Sequence, residues 1–321
     1  MKAVRLTLFT ALFFCLLGSS TAFADWMWRP DIGWVNTKEV IKASPEEQFK
    51  YGQRLMDEKK YKEAARAFRL LELSFPKSDE AGPSVLLASK CMYKAGYYYS
   101  CFLAAKRAIH GYADTVDLQE VVEILHKVGN DFLQGAKKEF MGLKILSGKS
   151  VAVEVFQELH LLDPWGKYGD DSLILLGRSY MRVHQYDKAI ETYEQLITDY
   201  PDSPLRARAR LQQAKCYDIK SKSWSYDFLS MSRALEVLKE IRPEADIAEQ
   251  ASELREVIEN RLAHKHYETA RFYIRRNRYV SARVYLEKVV NEFPDTLWAE
   301  KAREDLLEVN REINSKDEEK R

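Results

Sequence analysis

A set of residue intervals that recurs three times along the chain constrains its fold more than any other feature. A tyrosine is followed by alanine after three positions, by a large side chain after seven and by an aromatic–proline pair after fourteen. The copies start at Tyr61, Tyr186 and Tyr279. Proline has no amide hydrogen and disfavours a helical conformation in the residue before it, so each pair marks the end of a helix. Three copies in phase predict a repeated helical unit.

The copy at 171–209 shows how one unit is built. Apolar side chains recur at helical spacing before and after a short break, which predicts two antiparallel helices. Gly177 on the first helix and Ala189 on the second are small, so the helices can approach closely. Tyr180 and Tyr193 fill the space around that contact. This order, over about 34 positions, matches the tetratricopeptide repeat.

The fold predicted from these units is all-α, a right-handed tetratricopeptide-repeat solenoid of about five to seven helix pairs over residues 44–312. Four further helical segments complete it: 83–115, 117–165, 206–250 and 248–264. The second pair takes Ala88 and either Ser100 or Ala104 as its small residues. Residues 117–130 are interpreted as an inserted helix because the spacing to the next copy is too long.

Residues 1–24 predict a secretory signal peptide. Lys2 and Arg5 give a basic start, residues 6–17 are apolar, and the stretch 22–24, Ala-Phe-Ala, provides small residues at a cleavage point. No other stretch reaches the roughly 18 apolar residues that a membrane-spanning helix needs. The mature protein is therefore predicted to be secreted to the periplasm.

Three segments fall outside the regular pattern. Residues 25–43 predict an extended leader that either packs on the solenoid or docks on a partner, since tryptophan is a favoured interface anchor. Its tryptophans are Trp26, Trp28 and Trp34. Residues 220–227 predict a lengthened loop inside one helix pair. Residues 313–321 are highly charged and predict a disordered tail.

The chain has four cysteines. Cys15 follows two phenylalanines rather than the small residue of a lipidation site, so the pattern does not favour acylation. Cys91 and Cys101 fall on adjacent helices of one predicted pair, and a disulfide between them is sterically possible in an oxidising compartment. The alternative is that these two and Cys216 are buried apolar thiols.

The motifs of common catalytic and cofactor sites are absent from the sequence. It contains no glycine-rich phosphate loop, no HExxH zinc motif and no paired CxxC. His264 and His266 are two residues apart, which on a helix directs them to different faces. The formal charge is +1, from 50 basic and 49 acidic residues, and gives no reason to propose nucleic acid. We therefore predict a protein without catalytic activity, cofactor or metal.

Basic residues recur on the first helices of the later pairs. The residue after the small position, and the one four further on, should face the concave side of the superhelix. These positions hold Arg178, Arg182, Lys215, Arg271 and Arg275. A strip of this kind suits an acidic or C-terminal carboxylate segment of an extended protein partner. The alternative is a solvated face that neighbouring acids neutralise.

The repeat ending Y-x2-A-x3-[FYL]-x6-[FY]-P-[KD]-[ST] resembles that of the BamD-type (YfiO-like) family, the tetratricopeptide component of the bacterial outer-membrane β-barrel assembly machine. The stretch YPDSPLRARA at 200–209 is especially similar, and the resemblance covers most of residues 44–302. It implies a non-catalytic periplasmic scaffold, at most peripheral to the outer membrane. The implied partners are proteins, either β-barrel assembly subunits or extended peptide segments.

The repeat is shared by other periplasmic tetratricopeptide proteins, including the Tol-associated cell-division coordinator. The alternative function is therefore a periplasmic adaptor for cell-wall, Tol-type or polysaccharide-export machinery. Members of the BamD-type family are usually lipoproteins, and the sequence around Cys15 departs from that pattern.

Overall fold

The computed structural model describes residues 26–29, 33–36, 41–140, 143–223, 228–243 and 246–318. This part of the chain contains thirteen α-helices and two antiparallel two-stranded hairpins. Helices that follow one another in sequence pack together in pairs, so the predicted all-α tetratricopeptide-type fold is confirmed. The chain divides into two compact units, residues 1–172 and 173–321.

The first unit begins with a hairpin of β1 (Trp26–Arg29) and β2 (Gly33–Asn36). The later elements are α1 (Pro45–Asp57), α2 (Tyr61–Ser74), α3 (Ala81–Lys94), α4 (Tyr98–Tyr112), α5 (Leu118–Leu133), β3 (Lys137–Phe140), β4 (Leu143–Ser147) and α6 (Lys149–Leu162). A single 3-10 turn, Ala113–Thr115, follows α4. The start of α1 is specified locally, because the Ser44 hydroxyl accepts a hydrogen bond from the Glu47 amide.

The division between the two units lies within α7, between residues 172 and 173, so most of α7 belongs to the second unit. Its helices are α7 (Gly169–Arg182), α8 (Tyr186–Asp199), α9 (Arg206–Ser223), α10 (Phe228–Lys239), α11 (Ala248–Ile274), α12 (Tyr279–Glu292) and α13 (Leu297–Glu318). Among the described residues the two units contribute six helix pairs, from α1–α2 to α11–α12. The unpaired helix α13 follows them.

Three of the pairs are held by a glycine on the first helix facing a large side chain on the second. A Cβ atom on Gly52 would lie 2.6 Å from the ring of Phe68, and the rings of two other second helices cover their glycines in the same way. These contacts join Gly129 to Phe156 and Gly177 to Tyr193. All three rings are fully buried. Close helix approach, predicted from glycine spacing, therefore determines the packing of these pairs.

The turn inside a pair has a left-handed residue two positions before the second helix. Lys59, His184 and Asn277 have φ angles of 59°, 61° and 56°, and Gly96 has 74°.

The left-handed residue also fixes the small position of the first helix, since Gly52 and Gly177 lie seven residues before Lys59 and His184. Counting back seven residues from Gly96 reaches Ser89, not the predicted Ala88. Ser89 is fully buried in α3, so the predicted phase of this pair was wrong by one residue.

Residues 117–165 are not helical throughout, which contradicts the prediction. β3 and β4 form a hairpin over residues 137–147, with Lys137 opposite Ser147. α5 is also not an inserted helix. It is the first helix of a pair with α6, because Gly129 packs on Phe156. The hairpin is the insertion, and its eleven residues account for the long spacing.

A carboxylate attaches this hairpin to α4. Oε2 of Glu139 accepts hydrogen bonds from the backbone amides of Tyr99 and Ser100, at 3.0 and 3.2 Å. α4 has no capping side chain of its own, and the first amides of a helix bind negative charge. Burial raises the pKa of Glu139 against these favourable bonds. The Lys138 ammonium lies 3.8 Å from the centroid of the Tyr99 ring.

Three predicted boundaries in the second unit also change. α9 continues through Lys220 to Ser223, so the first half of the predicted loop 220–227 is helical. α11 is one helix over residues predicted as two, because no glycine or proline interrupts it. α13 extends to Glu318, so the first six residues of the predicted disordered tail, 313–318, are helical. Charged residues without a helix breaker do not end a helix.

The three described cysteines, Cys91, Cys101 and Cys216, are free and buried, in agreement with the buried-thiol alternative. Cys101 lies three residues after Tyr98, where Ala64 lies relative to Tyr61. It therefore fills the small-residue position of its pair. Burial raises the pKa of Cys91 to about 11 and that of Cys216 to about 12.

We expect alkylation of these three thiols at pH 8 to be about a hundredfold slower in the folded protein than in denaturant, because the thiolate is both rare and enclosed. Iodoacetamide labelling mapped residue by residue by mass spectrometry measures this. Recovery of a disulfide-linked peptide pair containing Cys91 and Cys101 would contradict the expectation.

Candidate partner-binding surface

Within the second unit, α11 lies against α9 on one side and against α13 on the other. Arg261 of α11 donates a hydrogen bond to Asp218 of α9, with 2.7 Å between Nη1 and Oδ1. Arg271 of α11 lies 3.2 Å from Asp305 of α13. Side chains of α9, α11 and α13 therefore share a continuous surface.

The residues of the predicted basic strip differ in their surroundings. Arg178, Arg182 and Arg275 are exposed, and Lys215 is half-buried. Within the part of the chain that the structure describes, no carboxylate lies within ion-pair distance of Arg178, Lys215 or Arg275. These three cations are accessible to an anionic partner. Their role in binding remains a prediction.

Arg271 has an acidic partner inside the protein. Its Nη1 lies 3.3 and 3.2 Å from the two carboxylate oxygens of Asp305. This hydrogen bond raises the pKa of Arg271. Burial, followed by a hydrogen bond to the same carboxylate, raises the pKa of Tyr267. The Arg271 side chain is 41% exposed, so the ion pair contributes about 1 kcal/mol or less to stability. At this position the alternative of a neutralised face applies.

An aromatic cluster that was not among the predicted site residues lies beside this pair. The Trp298 indole on α13 stacks on the His264 ring at 4.0 Å between centroids. Tyr267 lies 5.5 Å away, and the Lys301 ammonium lies 4.6 Å above the indole. The spacing of His264, Tyr267 and Arg271 on α11 is that of one helix face, a signal visible in the sequence. Aromatic side chains therefore lie next to the predicted basic strip, on the side of Arg271.

The three leader tryptophans lie on the β1–β2 hairpin. Its backbone register places Trp28 opposite Trp34 and Trp26 opposite Asn36. The described residues are thus paired strands, where the sequence predicted only an extended segment. Docking of this segment, on its own solenoid or on a partner, remains a prediction.

Two other features bear on the chemistry of this surface. Among the described residues, no group of three or more histidine, cysteine, aspartate or glutamate side chains is arranged to hold a metal ion. None of the described helices combines the length and the apolar character that crossing a membrane requires.

Comparison with known proteins gives one family and one curated relative. The model of the family YfiO, described as outer membrane lipoprotein, matches residues 146–321, which is more than half of the chain. The outer membrane protein assembly factor BamD of Caulobacter vibrioides is 24% identical over 173 residues, 53% of this chain. The chain spans 57% of that relative's length.

Solved structures with similarity to the chain include two tetratricopeptide-type proteins. The nearly identical TPR-like repeats of a putative kinesin light chain from Podosopora anserina are 15% identical, with a TM-score of 0.34, and cover 64% of this chain and 95% of their own. A thermophilic TPR protein of Thermus thermophilus is 15% identical, with a TM-score of 0.32, and covers 66% of this chain and 98% of its own.

Proposed function

Because this chain belongs to the YfiO family of outer membrane lipoproteins, we propose that it is a non-catalytic periplasmic scaffold in outer-membrane protein assembly. The helix pairs of its second unit present a surface to protein partners. The protein acts at the periplasmic side of the outer membrane and is peripheral to it.

The observation that carries this proposal is the set of cations on first helices in the region that matches the family. Arg178 lies on α7 and Lys215 on α9, and Arg275 caps the end of α11 directly after Ile274. The described residues place no carboxylate within ion-pair distance of these three cations. Packed first helices such as α9 and α11 hold their side chains on a stiff support. A guanidinium on such a support binds a carboxylate with two parallel hydrogen bonds.

The cations of the strip are of two kinds, those without a carboxylate neighbour and one, Arg271, that already has such a neighbour. Arg178 and Arg275 are free to meet acidic groups of an extended partner. A carboxylate that approaches Arg271 must compete with Asp305, which lies 3.2 Å away. We infer that partner binding depends mainly on Arg178, Lys215 and Arg275. It should also weaken as salt screens the exposed charges.

The experiment that tests the function is crosslinking in intact cells through a C-terminal tag, with mass spectrometry of the captured proteins. Recovery of β-barrel assembly proteins supports the proposal. Recovery of only cell-wall, Tol-type or polysaccharide-export proteins would keep the scaffold and replace its role by that of an adaptor.

Charge reversal tests the surface itself. We expect Arg178→Glu combined with Arg275→Glu to reduce capture of the partner at least about tenfold, because two attractive contacts become repulsive. Quantitative crosslinking, with circular dichroism to verify the fold, measures this. The matched control is Arg233→Glu combined with Arg283→Glu on the second helices α10 and α12. Equal loss in both double variants would overturn the assignment of the surface.

A further inference from the structure

The turn between α11 and α12 carries a concentration of positive charge that the strip does not explain. Its sequence is Arg275-Arg276-Asn277-Arg278, and Arg276, Asn277 and Arg278 are exposed. In the described part of the chain, no carboxylate lies within ion-pair distance of these three arginines. Glu308 and Glu312 of α13 lie near Arg271 and Tyr279. The three arginines of the turn thus have no ion-pair partner among the described residues.

The backbone of this turn is fixed. The amides of Arg276 and Arg278 both donate to the Tyr273 carbonyl, at 3.1 and 3.0 Å, and that of Asn277 donates to the Ile274 carbonyl at 2.9 Å. Asn277 adopts the left-handed conformation at φ 56°, which asparagine tolerates better than most residues. The arginine side chains thus project from a support that needs no ordering on binding.

The charge belongs to this turn and not to the repeat. The corresponding turn of the first pair is Asp57-Glu58-Lys59-Lys60, which is neutral as a whole. There Lys60 and Glu58 form an ion pair at 2.7 Å. The two turns share their left-handed residue, at Lys59 and Asn277. Fold geometry alone therefore does not require the arginines.

Apolar side chains flank the arginines. Phe272 is 42% exposed and Val280 is 60% exposed. The Arg276 guanidinium lies over the Phe272 ring, 4.4 Å from its centroid. A cation and an exposed apolar surface are thus side by side, as they must be at the boundary between lipid headgroups and acyl chains.

We propose that this turn, formed by Phe272, Arg276, Arg278 and Val280, docks the protein on an anionic lipid surface. The arginines bind headgroup phosphates through paired hydrogen bonds, and Phe272 and Val280 enter the interface. The inference rests on the proposed function, because a protein that acts at the outer membrane lies close to a lipid bilayer. It concerns different side chains from the protein-binding strip, and Arg275 at their shared edge is left unchanged in its test.

The test is flotation of the mature protein, from residue 25 on, with vesicles of phosphatidylglycerol and phosphatidylcholine in equal parts, and with vesicles of phosphatidylcholine alone. Wild type and variants are run side by side, and the predicted signal peptide is left out because its apolar run 6–17 would itself bind both kinds of vesicle. We expect Arg276→Glu with Arg278→Glu to lower partition to the anionic vesicles at least about tenfold. Partition to the neutral vesicles should change little.

Two further variants make the result specific. Lys59→Glu with Lys60→Glu makes the same change of charge in the equivalent turn of the first pair and should leave partition close to wild type. Phe272→Ser, which keeps every arginine, should lower partition to both kinds of vesicle. Circular dichroism establishes that each variant is folded.

The outcomes separate this inference from the proposed function. Unchanged partition of the Arg276 and Arg278 double variant would overturn lipid docking. Reduced crosslinking to a protein, with vesicle partition unchanged, would assign the turn to a protein contact and would likewise overturn it. In both cases, capture of β-barrel assembly proteins through the intact strip would still support the scaffold function.

Discussion

Gly177→Ala is expected to destabilise the protein by about 1–3 kcal/mol, although alanine is the better helix former by about 1 kcal/mol. A Cβ atom at this position would overlap the Tyr193 ring. The ring is fully buried and its hydroxyl donates to the Met181 sulfur at 3.4 Å, so it has little freedom to move away. Urea unfolding followed by circular dichroism measures the change.

A double-mutant cycle identifies the cause. Tyr193→Ala alone should cost about 3–5 kcal/mol, as is usual when a buried aromatic side chain is removed. In that background Gly177→Ala gains the space the ring occupied, and we expect it to become neutral or stabilising. The two positions should therefore show a coupling energy of about 1–3 kcal/mol.

The matched control is Gly111→Ala. Gly111 is also helical, near the end of α4, but a Cβ atom added there meets nothing within 4 Å. This change should be neutral or stabilising by up to about 1 kcal/mol. If Gly177→Ala changes the stability no more than Gly111→Ala does, the close packing of α7 on α8 does not exclude a Cβ atom at position 177.

Lowering the pH from 7 to 5 is expected to cost about 2 kcal/mol of stability through His266 alone. His266 on α11 is 7% exposed and stacks on Phe228 at 5.0 Å between centroids. Its Nδ1 has no hydrogen-bond partner among the described residues. Burial, with a smaller contribution from the positive charge of Lys288, lowers the pKa of His266 to about 4.

The sign follows from comparing the folded and unfolded states. An unfolded histidine has a pKa of about 6.5, whereas the folded protein resists protonation of His266 down to about pH 4. The unfolded state therefore binds more protons in this window and gains stability as the pH falls. The cost begins below about pH 6.5 and reaches its full value, about 3 kcal/mol, below about pH 4.

The measurement is the free energy of unfolding in urea at pH 7 and pH 5 for wild type and His266→Leu. The variant should lose about 2 kcal/mol less than wild type between the two pH values, whatever its stability at pH 7. His264→Leu removes an exposed imidazole from the same helix and should retain the contribution of His266. An equal pH dependence in wild type and His266→Leu would contradict this account.

Much of the fold could be predicted because its determinants are local. Helix spacing, a small residue facing a large one, and a terminal proline recur at short range, and they predicted the pairs around Phe68 and Tyr193. The same rule missed Gly129 because the hairpin inserted after α5 shifts the spacing to Phe156. A pattern defined by fixed intervals does not survive an insertion.

The candidate surface was predicted less completely. The intervals placed Arg178, Lys215 and Arg275 on first helices, and the structure leaves these side chains accessible. The same intervals selected Arg271, which forms an ion pair with Asp305. Asp305 lies on another helix, more than thirty residues later in the chain. The position of a residue in the sequence specifies the face of the helix on which its side chain lies. It does not specify which charged residue of another helix will form an ion pair with that side chain.

The sequence by itself determined the helix pairs that keep the repeat intervals, such as those around Phe68 and Tyr193, with their closest contacts and the positive charge on later first helices. Each of these depends on residues within one repeat. Only the tertiary structure decided which charges remain uncompensated. It alone decided that Glu139 of the hairpin meets the first amides of α4, and that His266 is enclosed by aromatic rings. The physical reason is that burial and ion pairing depend on the distances between elements far apart in the chain, which a repeat interval does not encode.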